Sequence, residues 1–76
     1  MTLNEIEQFL TLAEKHVSEG AAHIKRQRTL IDDLDRGAHD STQARQLLES
    51  MLQTQALHES DAEGLRNLWR CAGEKP

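Results

Sequence analysis

Aromatic side chains are nearly missing from this chain. Phe9 and Trp69 are the only two, which leaves no platform on which successive bases could stack. Proline occurs once, at Pro76, and glycine only at Gly20, Gly37, Gly64 and Gly73. Punctuation so sparse allows a few long elements and no more. The single cysteine, Cys71, excludes an internal disulfide framework and fits a reducing, cytoplasmic setting. Positive charge is in the minority: 9 Lys and Arg stand against 13 Asp and Glu, a net −4. That balance lacks the broad cationic surface on which non-specific nucleic-acid binding depends. No apolar run approaches the ~18–20 residues that cross a bilayer. The opening Met1-Thr2-Leu3-Asn4-Glu5 is acidic and amphipathic, unlike a secretory signal. Serine triads, phosphate-binding loops and paired cysteines are absent as well. The expectation is a soluble, non-enzymatic protein that needs no cofactor and binds neither nucleic acid nor membrane.

What is present is helical periodicity. The 76 residues form one domain, 1–76, small enough that a lone core is marginal. Thr2 with Glu5 three residues on is a capping box. From there apolar or small residues recur in steps of three and four: Leu3, Ile6, Leu10, Ala13, Val17, Gly20, Ile24, Gln27, Ile31 and Leu34. This unbroken a/d pattern predicts a helix over about 3–36. Arg36 in the last turn and Gly37 as the left-handed residue end it. Asp40 is expected to cap the next helix, with Gln43 at the reciprocal position. A second stripe follows in Ala44, Leu48, Met51, Gln55, His58, Ala62, Leu65, Trp69 and Ala72. It predicts a helix over about 41–72, ended by Gly73 and Pro76. A rival reading breaks this helix near Ser60, where Ser60 and Glu63 form a second possible capping box and Gly64 weakens the helix.

A short turn between two long helices makes an antiparallel hairpin. The stripes are wider than a two-stranded seam needs, because Phe9, His16, His23 and Leu30 flank the first, and Leu47 and Leu68 the second. That breadth belongs to a helix with two neighbours. The predicted fold is therefore an all-α hairpin that forms a homodimeric four-helix bundle. Its interface should include Phe9, Leu10, Val17, Ile24, Leu30, Leu47, Met51, Leu65, Leu68 and Trp69. A monomeric hairpin with splayed edges and a helical partner of another sequence are the alternatives.

The apolar seam thins at mid-length. His16, Glu19, Gly20, His23 and Gln27 on one arm are expected to meet Met51, Thr54, Gln55, His58 and Asp61 on the other. Pairing about the turn sets His58 opposite Glu19 and Gly20, His16 opposite Asp61, and His23 opposite Thr54. A bulky His58 against Gly20 would account for a glycine in a helix interior. The bland reading makes these core polar groups that fix register. The sharper one takes His16, Glu19, His23, His58 and Asp61 as metal-ligand candidates, since carboxylate and imidazole at helical spacing hold metals inside bundles. One ion cannot take both His16 and His23, which lie about 10 Å apart along a helix. The cluster Lys25, Arg26, Arg28 before Asp32, Asp33, Asp35 reads as a solvated face with an Arg28–Asp32 pair.

Two stretches resemble known sequences. Ala22-His23-Ile24-Lys25-Arg26 resembles the phosphoacceptor helix of histidine phosphotransfer domains, but Gln27 stands where that family has glycine. The longer stretch from His23-Ile24 through Gln27, Ile31, Leu34 and Gly37-x-His39-Asp40-Ser41-Thr42 to Ala44, Leu47-Leu48 and Leu57-His58 resembles small hypothetical proteins of alpha-proteobacteria. That resemblance spans roughly residues 16–68. It implies a helical hairpin with a Gly-x-His-Asp turn, and no activity.

Overall fold

The computed structural model describes residues 1–73 and contains two helices, α1 (Leu3–Arg36) and α2 (Thr42–Gly73), packed along their length. Thr2 starts α1 with the expected reciprocal bonds. The Glu5 N–H donates to the Thr2 hydroxyl at 3.2 Å, and the Glu5 carboxylate accepts the Thr2 N–H at 3.3 Å. α2 runs unbroken through Ser60 and Gly64. The packing of α2 against α1 outweighs the local cost of Gly64, and Ser60 caps nothing. α2 is described through Gly73, and Pro76, expected with Gly73 to end it, lies outside the described residues. The molecule is a rod of 62 × 14 × 14 Å.

The turn departs from expectation at both ends. Gly37 has an ordinary φ of −81° and still makes a helical bond, its N–H donating to the Asp33 carbonyl at 3.0 Å. The left-handed residue is Ala38, φ 57°. The His39 N–H reaches the Leu34 carbonyl at 2.9 Å and the Ala38 N–H the Asp35 carbonyl at 3.2 Å. Those two bonds are a Schellman motif, with alanine where glycine is usual. Gly37 serves the turn through space instead: a Cβ there would stand 2.8 Å from the His39 ring. The cap of α2 is Ser41, not Asp40. The Ser41 carbonyl accepts the first helical bond, from the Arg45 N–H at 2.9 Å. Asp40 sits one residue earlier and its carboxylate accepts the Thr42 N–H at 3.0 Å and hydroxyl at 2.6 Å.

Ser41 is buried because it ties the turn to α1. Its hydroxyl donates to the Asp35 carboxylate at 2.7 Å and accepts from Arg45 Nε at 3.1 Å, while the Arg45 guanidinium also meets Asp35. The Ser41 hydroxyl bond, followed by Arg45, holds the Asp35 carboxyl below its ordinary value. The Thr42 hydroxyl and amide do the same for Asp40.

Between the arms the two stripes meet as the heptads require. Ile6, Ala13, Ile31, Ala62 and Gln55 are buried, and Leu10, Val17, Ile24, Met51 and Leu65 are half-buried beside them. The register is not the one expected from symmetry about the turn. Gly20 faces Gln55, not His58, which lies one turn further along α2. This offset lets both stripes step together, so that Ala13 and Ala62, both buried, fall at one level. Gln55 Nε2 donates across the seam to the Val17 carbonyl at 2.8 Å, and Gln27 Nε2 to the Ala44 carbonyl at 2.8 Å. Inside the seam, as distinct from its edges, the polar side chains that bridge the arms are these two glutamines.

Candidate docking face

The two long sides of the hairpin are chemically different. One carries charge across the arms: Glu14 meets Arg66 at 3.9 Å, Asp35 meets Arg45, and the Trp69 indole N–H donates to Glu7 at 3.0 Å. The other is built from residues seven apart on each helix. Phe9, His16, His23 and Leu30 recur on α1, and Leu47, Thr54, Asp61 and Leu68 on α2. Side chains at that spacing share one edge of a helix. Since the arms are antiparallel, the two edges form a single face.

Two grooves run along this face. The larger, about 600 Å³, lies toward the open end and is lined by Phe9, Leu12, Ala13, His16, Asp61, Gly64, Leu65 and Leu68, with Met1 at its edge. The smaller, about 250 Å³, lies at mid-length between Gly20 and His23 on α1 and Leu47, Met51, Thr54, Gln55 and His58 on α2. Phe9, Leu12, Leu30, Leu47 and Leu68 each leave about half their surface in water (47–54%). Leu12 was not among the expected interface residues, although its position three after Phe9 puts it on the same edge.

Of the ten expected interface residues, Leu10, Val17, Ile24, Met51 and Leu65 are half-buried in the seam of their own hairpin. Phe9, Leu30, Leu47, Leu68 and Trp69 are exposed. Trp69 is engaged toward the charged side through Glu7.

The histidines divide. His16 and His23 are exposed, and His58 is half-buried. The His16 ring packs against His58, centroids 5.4 Å apart and planes inclined by 36°, although His16 and Asp61 line the same groove. His23 and Thr54 share the smaller groove, as expected. Glu19 pairs with Lys15 at 3.9 Å and joins no histidine. Among the described residues no three His, Cys, Asp or Glu side chains converge on a common point. Among the described residues two buried polar atoms lack a partner, His58 Nδ1 and Gln55 Oε1. The expected Arg28–Asp32 pair is not formed; both line a shallow cleft with Arg45, and Asp33 pairs with Arg36 instead.

Cys71 is a free, exposed thiol. No helix is long and apolar enough to cross a membrane among the described residues. Comparison with protein-family models, with curated proteins and with solved structures gave no match.

Proposed function

We propose that the chain is a non-enzymatic oligomerisation module, a helical hairpin that pairs with a second copy through its apolar face to form a four-helix bundle. The observation that carries this reading is the order of residues along that face. From the open end to the turn it runs Phe9 with Leu68, His16 with Asp61, His23 with Thr54, and Leu30 with Leu47. The ends are apolar and the middle is polar on both arms, so a second copy laid on the face by a two-fold axis sets apolar on apolar and polar on polar.

Area supports the same reading. The chain exposes 5812 Å², whereas a compact monomer of its mass exposes about 4,700 Å². The excess, on the order of 1,000 Å², is comparable with the roughly 800 Å² that each partner gives to a standard interface. Soluble monomers rarely leave apolar patches such as those at the two ends of this face uncovered.

Charge selects between the two-fold arrangements. An axis parallel to the helices lays α1 on the partner's α2, with His16 over Asp61 of the partner subunit. An axis across the helices would oppose His16 to His23 of the partner subunit. Asp61 makes no hydrogen bond or ion pair within its own chain among the described residues, and the parallel axis supplies it with an imidazole N–H. Cross-linking tests this. Single cysteines replacing Leu12 or Ser60 in a Cys71→Ser background identify which helices adjoin, and the parallel axis predicts that the mixed pair cross-links faster than either alone.

A further inference from the structure

We infer that His16 and His58 form half of a divalent transition-metal site, which a second copy of the chain completes. The inference rests on the dimer proposed above. The ring centroids of His16 and His58 stand 5.4 Å apart. Two imidazoles on one tetrahedral zinc ion, with zinc–nitrogen bonds of about 2.0–2.1 Å, have centroids about 5 Å apart. The pair therefore needs rotation of its side chains, not movement of its helices, to share an ion. One chain provides two ligands and no third among the described residues, so a closed site must draw the rest from elsewhere.

The fold says where. His58 belongs to the inner stripe of α2, near mid-length, and His16 to the docking edge of α1. A two-fold axis parallel to the helices brings both pairs to one level around the centre of the bundle. Four neutral imidazoles at one level suit zinc. Asp61 of the partner subunit, over His16, is placed to accept the N–H of the non-ligating nitrogen, the usual support for a metal-bound histidine. His58 Nδ1 is enclosed by its own chain, which leaves Nε2 for the ion.

Untagged protein, stripped with chelator and then dialysed against micromolar zinc, provides the test. Bound metal and sedimentation equilibrium are measured on the same samples. The expected result is one zinc per two chains and a dimer dissociation constant lowered at least tenfold by zinc. Both effects should be lost in His16→Ala and in His58→Gln and kept in His39→Ala. His16 is exposed, so its variant retains the fold, which far-UV circular dichroism verifies. A metal-free dimer that retains no zinc overturns this site and leaves the oligomerisation reading standing. Zinc held equally by His16→Ala and His58→Gln, or at one ion per chain, also overturns it. A chain that is monomeric with and without zinc overturns both readings.

Discussion

The carboxamide of Gln55 occupies the space that a side chain on Gly20 would need. Gln55 is 8% exposed, and its Nε2 is fixed on the Val17 carbonyl of the opposite arm. Glycine at position 20 thus permits the one cross-arm bond at the centre of the rod. Glycine to alanine in a helix interior ordinarily stabilises by about 1 kcal/mol. Here that gain is outweighed, since overpacking costs about 1–3 kcal/mol and the bond to Val17 is lost. Gly64 has nothing within 4 Å of its would-be Cβ. Urea midpoints should therefore fall for Gly20→Ala and rise for Gly64→Ala.

The turn offers a second pair of opposite expectation. Ala38 holds a left-handed conformation that costs an L-residue about 1–2 kcal/mol. Ala38→Gly should recover part of that, raising stability by about 1 kcal/mol after the entropy lost to the freer unfolded chain. Gly37→Ala needs no unusual φ and displaces only the His39 ring. It should cost less than about 1 kcal/mol, as small local shifts do. Thermal or urea denaturation of both variants checks the order.

Acid should act through the turn. Asp35 and Asp40 have carboxyls held below their ordinary value by Ser41 with Arg45 and by Thr42. A depressed folded value means that the unfolded chain binds protons first as pH falls. Stability is then fully present above the unfolded value of about 3.9 and declines as pH falls through the folded one. Asp35→Asn should lower the urea midpoint at pH 6, and its difference from the parent should shrink by pH 2.5. A constant difference across that range would show that the Asp35 charge is not what Ser41 and Arg45 hold.

The seam was legible because its information is one-dimensional. Every residue of the 3–4 stripe from Ile6 to Leu34 is buried or half-buried, and the Thr2–Glu5 cap is a local spacing rule. The turn was less so. Which of Gly37 and Ala38 turns left-handed depends on how far the helical bond to Asp33 extends, and Ser41 takes the cap because Asp35 and Arg45 reach it from outside the turn. Register was harder still. A stripe shows which residues face inward but not their partners, and only the fit of Gln55 against Gly20 settles the offset. That the face flanked by Phe9 and Leu68 is apolar while the opposite side carries Glu14–Arg66 follows from the heptads once both arms are set in this register.

The docking face should respond to charge in a position-dependent way. Leu47 and Leu57 are both exposed leucines on α2 (54% and 66%), but only Leu47 lines a groove of the face. Burying a carboxylate at a docked Leu47 is expensive, so Leu47→Glu should weaken self-association at least tenfold. Leu57→Glu should leave it unchanged. Gel filtration at matched concentrations, with helicity confirmed by circular dichroism, separates the two.

Sedimentation equilibrium of the parent chain in chelator, at micromolar concentrations, tests the central claim most directly. A chain of 8.6 kDa that pairs through this face should fit a reversible monomer–dimer equilibrium, with twice that mass dominant at the upper concentrations. A single species of 8.6 kDa up to 100-fold higher loading, a range of about 2.7 kcal/mol, would contradict it.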